Sequence, residues 1–121
     1  MMSESVLDAC CGGRMFWFDK EDSRALYIDN RRCEKGHNPY RPNHQVIPDI
    51  QMDFTDMDFA DESFRLVIFD PPHLRSDSDD LNMARLYGRL GDDWRDVIGD
   101  GFKECFRVLV PGGVLIFKWH E

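Results

Sequence analysis

The chain has 121 residues, 42% of them hydrophobic, which suffices for one domain with a modest core; residues 1–121 read as that single domain. No charged-then-apolar leader opens the sequence and no apolar run approaches the ~20 residues needed to span a bilayer, so a soluble, cytoplasmic protein is expected. The formal charge of −8 excludes a protein that grips phosphate backbones over a broad surface, because such binding needs Lys and Arg to displace counterions; any nucleic-acid contact must be local.

In chain order, short apolar runs alternate with helical patterns. The first run, SVLD (5–8), leads into DACCGGRMFW, where Gly12 and Gly13 let the backbone approach a ligand closely. A plain strand-to-helix turn would look the same. A helix is expected next, around Arg14 to Asp22, and then a second run, ALYID (25–29). The following RRCEKGHNPYRPNHQVIP is rich in Pro, Asn and His and reads as irregular. It carries the one basic cluster, Arg31, Arg32, Lys35 and Arg41, which is either a local nucleic-acid contact or, by slight preference, a solvated loop. Cys33, His37 and His44 fall in the same stretch without a CxxC knuckle and read as loop residues without a metal. The four cysteines, Cys10, Cys11, Cys33 and Cys105, have no paired spacing and are expected as reduced thiols.

Three more runs follow: DIQMD (49–53), LVIFD (66–70) and GVLIFKW (113–119). Continuous apolar runs bounded by turns suit parallel strands buried on both faces, joined by right-handed helical crossovers. The fold class is therefore α/β. LNMARLYG (81–88) gives one candidate helix. The clearest helix covers 92–109, where Trp94, Val97, Ile98, Gly101, Phe102, Cys105, Phe106 and Leu109 share one face, and PGG at 111–113 is expected to stop it.

Four of the five runs end at an acidic residue: Asp8, Asp29, Asp53 and Asp70. Open parallel sheets bind ligands beyond the carboxyl ends of their strands, so these carboxylates should surround one crevice. The matching ligand offers hydroxyls, amines or positive charge. Asp29 stands 21 residues after Asp8, where an acidic side chain can accept both hydroxyls of a ribose. Asp53 could accept an adenine amino group while Phe54 lies on the ring, although a core role for Phe54 is equally consistent.

VLDACCGG, ALYIDNR, MDFTDMDFADESFRLVIFDPPH and FKECFRVLVPGGVLIFKW, in that order, resemble the successive motifs of class I S-adenosylmethionine-dependent methyltransferases over nearly the whole chain. DPPH is similar to the (N/D/S)PP(aromatic) signature of the members that methylate amino groups, adenine N6 in particular, and the short form most resembles phage-encoded adenine methyltransferases. The resemblance implies a Rossmann-like, doubly wound and mostly parallel sheet of about five strands in the order 3-2-1-4-5. It implies S-adenosyl-L-methionine as cofactor, held by Asp8, Ala9, Cys10, Gly12, Asp29, Asn30, Asp53, Phe54 and Asp70. Asp70, Pro71, Pro72 and His73 are the implied catalytic residues, and DNA the implied partner. The sequence departs from the pattern in having Cys10 and Arg14 where the turn usually has glycines, His73 where Tyr, Phe or Trp is usual, and Glu121 where a C-terminal antiparallel hairpin would continue.

DPPH suits this chemistry physically. The nitrogen of an aromatic amine is a poor nucleophile because its lone pair is delocalised into the ring. Two acceptors, the Asp70 carboxylate and the Pro71 carbonyl, would each hold one N–H and favour a tetrahedral nitrogen. The prolines stiffen the chain and keep those carbonyls out of a helix. His73 would stack on a base that is flipped out of any duplex. Alternatives are a methyltransferase for RNA, a protein amide or a small molecule, and a cofactor-binding module without turnover. Self-association is expected, because the fifth strand, VLIFKW, reads as an uncovered sheet edge that pairing through it, or through adjacent helices, would protect.

Overall fold

The computed structural model describes residues 5–72 and 90–119. They build one five-stranded, all-parallel sheet: β1 (Val6–Asp8), β2 (Ala25–Asp29), β3 (Ile50–Gln51), β4 (Phe64–Phe69) and β5 (Leu109–Phe117), in the spatial order β3-β2-β1-β4-β5. The order is the one expected, and with the helix α1 (Trp94–Val108) it makes a Rossmann-like α/β fold. Every residue of β2 is buried, as a continuous apolar run in an inner parallel strand requires. β3, at the sheet edge, is only two residues long and exposed, shorter than the expected 49–53.

α1 lies against β4 and β5 through Ile98, Gly101, Cys105 and Val108. Gly101 sets the approach. A Cβ there would stand 2.6 Å from Phe69 Cζ and 2.8 Å from Phe54 Cδ1, so only glycine admits both rings. The rings of Phe54 and Phe69 meet edge to face at 5.0 Å in the core that also holds Leu7, Ile28, Phe64 and Val67.

Two local expectations are corrected. Residues 14–22 form turns, not a helix. Arg14 takes a left-handed φ of 60°, its guanidinium donates to the Lys20 and Ile47 carbonyls, and Asp19 and Asp22 accept from the backbone two residues on, which competes with helical bonding. Nor does PGG end the helix. The chain turns extended at Leu109, and Pro111, Gly112 and Gly113 lie within β5 at a register shift opposite Phe64 to Leu66, with Gly112 at φ 79°.

β5 pairs only with β4 among the described residues, so its outer edge is open there, and Val114 and Ile116 are exposed. Within the same residues no helix is long and apolar enough to cross a membrane. The helix expected over 81–88 lies outside the described residues.

Candidate functional site

Because all five strands run parallel, their carboxyl ends share one edge of the sheet. The register sets Asp8 beside Tyr27 of β2 and Ile68 of β4, and Asp29 and Asp70 each follow two residues further along. The acidic ends thus collect where the pattern of the runs put them, but their environments differ.

Asp8 is 1% exposed. Its Oδ2 accepts a 2.8 Å hydrogen bond from Trp17 Nε1 and its Oδ1 a 3.3 Å bond from the Cys10 amide. Burial pushes its carboxyl from the usual 3.8 up to about 6; the two hydrogen bonds oppose this, and the charges of Asp70 and Asp29 add to it. Asp8 is therefore an internal group that fixes the turn after β1, and it stands behind the cleft wall. Ala9 is likewise interior, its amide donating to the Ile68 carbonyl.

Asp29, also buried, faces a cleft of about 340 Å³. Gly12 N donates to its Oδ2 at 2.8 Å and Arg31 N to its Oδ1 at 2.9 Å, with Arg31 Nε 3.5 Å from Oδ1. A carboxylate's two oxygens offer about four acceptor sites, of which these two short bonds take two. Gly12 thus acts on Asp29 through its N–H. The Cys10 thiol also points at Asp29, Sγ to Oδ2 3.8 Å. Burial, then the charges of Asp29 and Asp8, push that thiol well above its ordinary range, so it stays protonated and is not a nucleophile.

The polar side of the cleft comprises Cys10, Asp29, Asn30, Arg31 and Asp53; Phe54, Pro72, Leu90 and Val97 give it an apolar wall, and Gly91 completes it. Asp53 Oδ1 accepts from both the amide and the hydroxyl of Thr55 at 2.8 Å, a turn that fixes the carboxylate at the rim. Phe54 combines both roles weighed for it, packed on Phe69 and lining the cleft. The Asn30 carbonyl accepts from Gln51 Nε2 at 2.8 Å, tying the ends of β2 and β3 together.

Of the expected residues, Cys10, Asn30, Asp29, Asp53 and Phe54 therefore line one cleft, while Asp8, Ala9 and Gly12 support it from behind. Asp70 follows β4 on the same sheet edge, Pro71 is buried and Pro72 reaches the cleft. His73 lies outside the described residues. Sequence reasoning read Arg31 only as part of the basic cluster, not as a partner of Asp29, and missed Trp17. Arg31's position two residues after Asp29 was a usable signal; for Trp17, expected within a helix, there was none.

Arg14 adopts a backbone conformation that a glycine takes freely, at a cost of about 1 kcal/mol for a side-chain-bearing residue. Its guanidinium holds it there, 3.9 Å over the Tyr27 ring and 2.8 Å from the Ile47 carbonyl. Among the described residues no group of three or more His, Cys, Asp or Glu is arranged for a metal ion.

No family model matches the chain, and no curated protein or solved structure does either.

Proposed function

We propose that the cleft binds S-adenosylmethionine and that the chain directs methyl transfer to an exocyclic amino group, with adenine N6 of DNA as the leading substrate. The observation that carries this reading is the placement of Asp29 at the end of β2, buried yet facing a cleft of about 340 Å³, on the same sheet edge as Asp70, Pro71 and Pro72. The volume lies within the ~300–1,000 Å³ common for small-molecule sites. The lining also fits: carboxylates at Asp29 and Asp53 to accept from hydroxyl and amino groups, and the Phe54 ring for a flat heterocycle.

Bound there, the cofactor supplies an electrophilic methyl group on a sulfonium. The chain's own residues do the rest. Asp29 orients the ribose, and Asp53 with Phe54 orients the base. Asp70 and the Pro71 carbonyl accept hydrogen bonds from the two N–H groups of the target amine, so that its lone pair leaves the ring system and forms the N–C bond as the methyl–sulfur bond breaks, and the surplus proton of the methylated amine then passes to solvent. Fixed acceptors of this kind act mainly by positioning and by electrostatics that need no rearrangement during reaction.

The test is transfer of labelled methyl groups from S-adenosylmethionine to DNA, RNA, protein and metabolite pools, with calorimetry of cofactor binding. Label in DNA at adenine N6 supports the full reading. Label in another pool moves the substrate, cofactor binding without transfer leaves a binding module, and no cofactor binding overturns the proposal.

A further inference from the structure

The basic stretch after β2 is an organised loop. Its ends are joined by paired hydrogen bonds between Cys33 and Val46, at 2.9 and 2.8 Å. Inside it, Gly36 N donates to the Pro42 carbonyl, the wholly buried Asn38 accepts from Tyr40 N, and His37 Nε2 and His44 Nδ1 share a 2.9 Å hydrogen bond. His44 packs on the turn after β1, where a Cβ on Gly13 would stand 3.0 Å from its Nε2. The loop is thus tied to the turn that supports the cofactor cleft.

Residues 31–46 hold four Lys or Arg against one Glu, a net +3 within a chain of −8. Arg31 turns inward to Asp29. Arg32, Lys35 and Arg41 are exposed, and Tyr40 stands out with 72% of its surface in solvent. Arg32 contacts Glu34 at 3.4 Å, an exposed pair that competes little with a stronger anion. Parallel strands lie ~4.8 Å apart and β2 is two places from β4, so the base of this loop lies roughly 10 Å across the sheet edge from Asp70. A strand that presents one base to Asp70 carries neighbouring nucleotides over that distance.

We propose that the basic loop over residues 31–46 is a docking surface for a nucleic-acid strand, with Arg32, Lys35 and Arg41 taking phosphates and Tyr40 stacking on an unpaired base. The proposal deepens the methyltransferase reading and rests on it, because it names the surface that holds the strand carrying the amino group. A positive, rigid patch on an otherwise acidic protein confines the strand to one path beside the cleft. An exposed aromatic among the cations favours single-stranded or locally opened segments, since every base has a face to stack.

The experiment compares the parent chain with R32S/K35S/R41S and with Y40A. Binding of a fluorescent single-stranded oligonucleotide is measured across a salt series, alongside calorimetry with S-adenosylmethionine and sedimentation with phosphatidylserine vesicles. Three lost phosphate contacts should lower the slope of log affinity against log salt by about 2. Tyr40→Ala should weaken single-strand binding on the order of tenfold with the slope unchanged. Cofactor affinity should stay at the parent value in both variants. An oligonucleotide affinity and slope equal to the parent's in the triple variant, no oligonucleotide binding by the parent, or capture by vesicles in preference to oligonucleotide each overturns the docking surface. Absence of cofactor binding in the parent instead overturns the methyltransferase reading, so the two failures are separable.

Discussion

Trp17 Nε1 donates a 2.8 Å hydrogen bond to Asp8 Oδ2, and this one contact fastens the turn-rich segment after β1 to the buried end of the strand. The Trp17 ring meanwhile packs edge to face on Tyr27 at 5.4 Å. A segment without regular structure is thus held through one side chain, by a hydrogen bond to Asp8 and by aromatic packing on Tyr27.

Burial makes Asp8 a source of pH dependence, against the pull of this hydrogen bond. The folded chain keeps a proton on Asp8 up to about pH 6, against 3.8 for an ordinary aspartate. Between those values the folded state binds more protons than the unfolded one, so this group's contribution falls as pH rises from about 4 to about 6. The shift corresponds to about 3 kcal/mol of disfavoured ionisation at neutral pH. Asp8→Asn removes the charge and keeps one acceptor, giving up one hydrogen bond of about 1 kcal/mol. The variant should therefore be more stable than the parent at pH 7 by about 1–2 kcal/mol, with the gain gone at pH 4. Urea midpoints at the two pH values measure this, and a variant less stable than the parent at pH 7 contradicts the assignment.

Arg107 clamps the loop before β4 to the end of α1. Its guanidinium donates to the Met57 and Phe59 carbonyls, to both oxygens of Glu104 and to Asp61, at 2.7 to 3.0 Å, while Glu104 accepts from Met57 N at 2.7 Å. Lysine carries a compact ammonium that cannot reproduce this fork. Arg107→Lys should cost about 2 kcal/mol, from carbonyls and a carboxylate left without partners. Thermal unfolding measures it, and a midpoint unchanged from the parent's would rule the clamp out as a source of stability.

Gly101 couples the core to the cleft. Alanine there places a methyl 2.6 Å from Phe69 and 2.8 Å from Phe54, and Phe54 has the cleft on its other side. Overpacking of this kind typically costs about 1–3 kcal/mol. Gly101→Ala should thus lower stability and, by pushing Phe54 outward, weaken S-adenosylmethionine binding several-fold in calorimetry. Parent-like cofactor affinity in a destabilised variant would show that the ring moves away from the cleft or plays no part in binding.

The readable parts of the fold were those fixed by local pattern. β2 is the ALYID run itself, and α1 follows the apolar spacing between Trp94 and Val108. β4 begins at Phe64, two residues before the run expected at 66, because an intervening exposed Arg65 breaks the apolar pattern without breaking the strand. The turns over 14–22 were not readable, since Arg14 is held in its left-handed conformation by Ile47 and Tyr27, partners distant in sequence. In the site, strand ends predicted which carboxylates share an edge. Which of them lines the cleft was not predictable: Asp8 and Asp29 are equally buried at the ends of adjacent strands, yet Asp29 lines the cleft while Asp8 is hydrogen-bonded to Trp17.

Asp70 tests the chemistry most directly. It directly follows β4, outside the residues that line the cleft, so on the proposed reading substitutions there should spare cofactor affinity. Its proposed task is to accept an N–H of the target amine as the nitrogen becomes tetrahedral. An asparagine carbonyl can still do this, so Asp70→Asn should retain measurable turnover. Asp70→Ala should reduce kcat by on the order of a hundredfold or more, the scale of losing one preorganised transition-state hydrogen bond. Both variants also remove a negative charge that raises the Asp8 carboxyl, so the Asp8 titration should move below about 6, an effect visible by NMR whatever the catalytic outcome. That shift shows that the substitution has acted on an intact strand end. Should Asp70→Ala then transfer methyl groups as fast as the parent, the DPPH segment is only a rigid turn and the amine must be activated elsewhere.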